Sequence, residues 1–103
     1  MQIDAHQLKE KLATHKAIIL LDVREEYEHK EFNIGGKLIP LSTLPYSTDA
    51  LDEWKSNEIV VYCRSGVRSL AAQQLLIKRG FEKVINLNGG VIGWIEAFGK
   101  TVP

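Results

Sequence analysis

The chain has 103 residues, 45% of them hydrophobic and 25% charged, which fits one domain built on a modest single core. A formal net charge of zero and a pI of about 6.8 lack the excess of Lys and Arg that nucleic-acid and membrane-surface binding draw on, so neither partner is expected. One cysteine excludes an internal disulfide, and no Cys/His cluster has the spacing of a zinc site, so neither a metal nor a cofactor is expected.

The N-terminal MQIDAHQLKEK has no apolar signal-peptide core, and the longest aliphatic run, AIILL, is far short of the ~20 residues a membrane helix needs. The expectation is a cytoplasmic protein. With no repeat, low-complexity tract or Pro/Gly-rich linker, residues 1–103 are expected to form a single domain.

In chain order, Asp4 can cap a helix running to about His15, with Gln7 as capping-box partner and Leu8 and Leu12 as its buried stripe. Residues 17–22, AIILLD, form a short continuous apolar run, the pattern of a strand buried on both faces. EEYEHKEF is polar and predicts a short helical turn. KLIPL predicts a brief strand that Pro40 confines to an end or an edge. STDALDEWKS predicts a short helix starting near Thr48 or Asp49. EIVVYC is a second buried strand, rich in β-branched residues. Arg68 to Arg79 has helical spacing at Ala71, Ala72, Leu75 and Leu76, and Gly80 stands where a glycine ends such a helix. KVINL is the next strand, NGG a turn, and VIGWIEAFG a last helix ended by Gly99. Strands separated by helices imply an open parallel sheet covered on both faces, with its functional crevice beyond the carboxyl ends of the strands. DVRE, CRSGVRS and LNGG all fall there.

Cys63 lies between a strand and a helix start, in VVYCRSGVRSLAA. A short glycine-containing loop leading into a helix is a natural anion nest, with N–H groups turned inward and the helix dipole adding positive charge. Gly66 lets the loop adopt angles closed to other residues. A thiol in such a nest, beside Arg64 and Arg68, is expected to ionise readily, with burial opposing. Most lone cysteines are core residues, but a core position would not be ringed by R-S-G-x-R-S.

These residues resemble the rhodanese-homology family, and specifically its single-domain sulfurtransferases. LLDVREEYE is similar to the family's Asp-Val-Arg-Glu segment, IGGKLIPL to the segment ending in Ile-Pro-Leu, VVYCRSGVRS to the active-site loop, and LNGGVIGW to the closing Gly-Gly-x-x-x-Trp motif. Four motifs in order span nearly the whole chain. The resemblance implies a five-stranded parallel sheet flanked by helices on both faces, with Gln2-Ile3 as a minimal first strand. It also implies a sulfurtransferase. Cys63 would take a sulfane sulfur from a small anionic donor such as thiosulfate, as a persulfide, and pass it to a small thiol, cyanide or a protein thiol. Backbone N–H groups from Arg64 through Ser65, Gly66, Val67 and Arg68 to about Ser69 would stabilise the sulfur, and Arg64 and Arg68 would hold the donor. In one departure, Phe32 stands where members of the family often carry His, and no role falls to a histidine.

Asp22 and Arg24 end a strand at the crevice. They could bind the donor, but the negative charge of Asp22 favours a supporting role as an ion pair that anchors the loops. Gly89 and Gly90 lack the G-x-G-x-x-G order of a dinucleotide site and read as a tight turn. Trp94 reads as core. His6, His15 and His29 sit among polar residues and read as surface, as do the charges of EEYEHKE. Two alternatives stand beside the sulfurtransferase. One is a cysteine phosphatase-like hydrolase, whose loops are related but run C-x5-R where this chain has C-x4-R. The other is a persulfide carrier or regulatory binding module without turnover.

Overall fold

The computed structural model describes residues 1–14 and 17–103. The helix end expected near His15, and the surface position expected of that residue, lie outside them. Five strands, β1 (Gln2–Ile3), β2 (Ile19–Asp22), β3 (Lys37–Leu38), β4 (Glu58–Tyr62) and β5 (Lys83–Leu87), form one sheet in the order β1-β5-β4-β2-β3. Every pairing is parallel. Between and after them lie α1 (Ala5–Thr14), α2 (Glu26–Glu31), α3 (Val67–Lys78) and α4 (Gly90–Phe98).

The side-chain alternation of β4 explains the layering. Ile59 and Val61 point to one face, where they pack with Leu51 of a 3-10 helix and with Ala72 and Leu76 of α3. Val60 and Tyr62 point to the other, where they pack with Leu8 of α1 and with Val91 and Trp94 of α4. Helices therefore cover both faces, as the alternation of strand and helix implies. Trp94 is wholly buried and donates its indole N–H to the Thr101 carbonyl at 2.7 Å.

Local signals hold in detail at the helix ends. Asp4 accepts the Gln7 N–H and Gln7 accepts the Asp4 N–H, both at 2.8 Å, closing the expected capping box. At the end of α3, the Phe81 N–H reaches the Leu76 carbonyl and the Gly80 N–H reaches that of Ile77, with Gly80 at φ 92°. This is the Schellman arrangement that Gly80 predicts. The segment expected as a short helix is 3-10 rather than α, over Thr48–Trp54, and a further 3-10 turn at Leu44–Tyr46 precedes it. Its N–H groups reach back three residues, as in Ala50 to Ser47 and Lys55 to Asp52. β2 begins at Ile19, two residues after the start of the apolar run, and β3 keeps only Lys37–Leu38 at the sheet edge, before Pro40. Among the described residues, no helix is long and apolar enough to cross a membrane.

Candidate active site

Cys63 leaves the end of the central strand β4 and is 1% exposed. The chain then turns at Gly66, which stands at the N-cap of α3 with φ 103°. A Cβ there would lie 3.3 Å from the Leu87 carbonyl, and the Asn86 side chain donates to the Gly66 carbonyl at 3.2 Å. The turn brings two N–H donors onto the sulfur, Gly66 at 3.1 Å and Ser69 at 3.4 Å, and the Ser69 hydroxyl shares a further hydrogen bond with it at 3.4 Å. Burial pushes the Cys63 thiol up, but hydrogen bonds from the Ser69 hydroxyl and from the N–H groups of Ser69, Gly66 and Ser65 outweigh it and leave the thiol below its ordinary value. Hydrogen bonds, rather than the arginine charges, lead among the lowering influences.

The loop is held from behind by the NGG turn. The Val91 and Ile92 N–H groups of α4 donate to the carbonyls of Cys63 and Arg64, at 2.9 and 3.0 Å. Gly90 permits this approach, because a Cβ at that position would fall 2.5 Å from both carbonyl oxygens. LNGG is thus the clamp on the thiol loop as well as a turn.

Asp22 is wholly buried and grips Arg24 through Oδ1 and Oδ2, the shortest contact being 2.8 Å from Nη2 to Oδ2. Arg24 also donates to the Phe32 carbonyl at 2.7 Å, which ties the end of α2 to β2. Its guanidinium lies 5.6 Å from the centre of the Tyr62 ring. The geometry is that of an anchor: the carboxylate and guanidinium satisfy each other out of water. His29, read as a surface residue, instead places Nδ1 2.8 Å from Asp22 Oδ2, because α2 turns that side chain back onto the strand end.

The sequence reading also missed Glu28, which it placed on a solvated face. Glu28 meets Arg68 fork to fork, at 2.7 Å to Nη1 and 2.9 Å to Nη2. The Arg68 hydrogen bonds hold the Glu28 carboxyl at about 2. The Glu25/Glu28 spacing of a capping box was a visible local signal, and both of its bonds form. The partner forty residues on was not visible. Arg68 is therefore already paired, whereas Arg64 is exposed and makes no ion pair among the described residues. Beside the loop lies a cavity of about 520 Å³ whose walls include Arg24, Glu28, Phe32, Arg64, Ile92 and Lys100. Phe32 thus reaches the cavity from the position where the family often has His.

Residues 4–97 match the family described as Rhodanese-like domain. The chain belongs to this family. A protein of Allochromatium vinosum named Sulfurtransferase is 34% identical to the rhodanese-like chain over 94 residues, covering 90% of it and 86% of the relative. A Bacillus subtilis protein with the provisional name sulfur carrier protein YrkF is 36% identical over 97% of the chain, which spans 52% of that protein. The crystal structure of a rhodanese-related protein from Thermoplasma volcanium superposes with a TM-score of 0.85 at 32% identity, covering 99% of this chain and 94% of that one. Rhodanese-like relatives are thus named both for sulfur transfer and for sulfur carriage.

Proposed function

We propose that this rhodanese-like chain is a sulfurtransferase that moves a sulfane sulfur from a small anionic donor, thiosulfate being the simplest, through a persulfide on Cys63. The observation that carries this reading is the convergence of the Gly66 N–H, the Ser69 N–H and the Ser69 hydroxyl on one buried sulfur. Such a nest favours negative charge on sulfur in the thiolate, and again in the persulfide anion. In the first half-reaction, the Cys63 thiolate attacks the outer sulfur of thiosulfate. A bond forms between the two sulfurs, the bond to the sulfonate group breaks, and its electron pair leaves with sulfite. In the second, cyanide or a thiolate attacks the outer persulfide sulfur and restores the Cys63 thiolate. No net oxidant or reductant is consumed. Arg64, at the cavity wall and without an ion pair among the described residues, supplies the positive charge that draws the donor in. Asp22 and Arg24 support the site by fixing the end of β2 and the exit of α2.

Carriage of the persulfide without turnover is a second reading, favoured by the relative named as a sulfur carrier. Intact-mass measurement after mixing with thiosulfate tests both. A gain of one sulfur in the wild type and none in Cys63→Ser supports a Cys63 persulfide; a gain retained in the Ser variant overturns it. Repeated turnover once cyanide or a small thiol is added supports the transferase over the carrier.

A further inference from the structure

The charges around the thiol loop are divided unevenly. Arg24 is paired with Asp22, and Arg68 has both terminal nitrogens on Glu28. Of the cationic side chains lining the cavity, only Arg64 and Lys100 have no ion pair among the described residues. Glu28 and Glu31 line that same cavity, and of the two Glu28 is the one turned onto the arginine of the thiol loop. An incoming donor therefore meets a carboxylate, side chain 13% exposed, that already occupies the arginine five positions after the thiol. A bidentate arginine–carboxylate pair is among the stronger polar contacts, so an oxyanion does not displace it freely. A donor that binds beside the intact pair is repelled by Glu28 in proportion to its own charge.

Resting on the sulfur-transfer reading above, we infer that Glu28 is a specificity residue. By holding Arg68 and presenting its own negative charge to the cavity, it disfavours doubly charged oxyanion donors relative to singly charged ones. Thiosulfate and the methanethiosulfonate anion make a matched pair. Both present a terminal sulfane sulfur on a sulfonyl group, the first with two charges and a sulfite leaving group, the second with one charge and a sulfinate leaving group. Charge balances in each: thiolate and donor anion become persulfide anion and sulfite, or persulfide anion and methanesulfinate.

The test is the rate of sulfur loading on Cys63 with each donor, followed by mass, in the wild type, Glu28→Gln and Glu28→Asp. Gln at the third helical position still closes the capping box with Glu25, so Glu28→Gln should keep α2 folded. One unit of charge several ångströms away in surroundings close to water changes an equilibrium about threefold, and more where water is excluded. The thiosulfate-to-methanethiosulfonate rate ratio should therefore rise about threefold or more in Glu28→Gln. In Glu28→Asp, which keeps the charge, it should stay near the wild-type value even if both rates fall. An unchanged or lower ratio in Glu28→Gln overturns the inference, as does an equal shift in Glu28→Asp, since either would mean that Glu28 acts only by shaping the loop. If neither donor loads Cys63 in any of the three proteins, the sulfur-transfer reading fails, and this inference with it.

Discussion

Gly66 donates its N–H to the sulfur of Cys63 across 3.1 Å, from the N-cap of the helix that follows. The thiol should consequently titrate below the free-cysteine value of about 8.5. The pH dependence of alkylation by a small haloacetamide measures it. Ser69→Ala, which removes the hydroxyl donor, should move the midpoint upward. A wild-type midpoint at or above the free value would contradict the hydrogen-bond account.

Gly90 and Gly80 both have positive φ, at 56° and 92°, but differ in what surrounds them. A Cβ at Gly90 meets the Cys63 and Arg64 carbonyls, whereas one at Gly80 meets nothing within 4 Å among the described residues. Gly80→Ala should cost about 1 kcal/mol of backbone strain. Gly90→Ala adds a steric term and should cost roughly 2–4 kcal/mol. For a domain of this size each kcal/mol lowers Tm by about 4–8 °C. Equal Tm losses in the two variants would remove the steric argument.

Arg64→Ala should slow sulfur loading from thiosulfate roughly tenfold, the equivalent of one lost charge-assisted hydrogen bond. Arg64 is exposed and makes no ion pair among the described residues, so its Tm should hardly change. A large fall in Tm with little change in loading would make Arg64 structural.

The Glu28–Arg68 pair gives stability a defined pH dependence. The Glu28 carboxyl stands at about 2 in the fold, against an ordinary value of 4.5. Above pH 4.5 both folded and unfolded chains hold it ionised, and the pair contributes in full. Between 4.5 and 2 the unfolded chain takes up the proton first, so the contribution shrinks, and below about 2 it is gone. The Tm difference between wild type and Glu28→Gln should be constant near neutrality and close as the pH falls through that window. A gap that widens on acidification would show the opposite sign.

Phosphate esters should not be hydrolysed. From Cys63 to Arg68 the loop runs C-x4-R, one residue shorter than C-x5-R, and the Arg68 fork is taken by Glu28. Phosphoryl transfer needs donors around three equatorial oxygens and an arginine free to follow the developing charge. Cys63-dependent release of phosphate from an aryl phosphate, at a rate rivalling sulfur transfer, would sink this expectation.

What could be read from the chain was local. The apolar runs of β2, β4 and β5, the Asp4 and Gly80 helix ends, and the strand–loop–helix around Cys63 depend on neighbours within a few residues. The contacts that complete the site do not. Glu28 and His29 carry polar side chains in a polar segment, and periodicity alone puts them in solvent. Only the parallel order of the sheet, which brings β2 and β4 side by side, sets α2 against the Cys63 loop and gives them Arg68 and Asp22 as partners. The nest of N–H groups around the thiol was expected alongside the arginines, but the same limit hid which of them reach the sulfur. Two arginines were visible next to Cys63, but the number of N–H groups that Gly66 turns onto the sulfur was not.

The two hydrogen bonds from the Val91 and Ile92 N–H groups to the Cys63 and Arg64 carbonyls tie the thiol loop to the start of α4. Opening of that helix should therefore also loosen the loop, and the amide protons of Val91 and Ile92 should exchange with solvent only as it opens. A departure of the last helix from its docked position therefore releases the backbone of Cys63 and Arg64 at the same time.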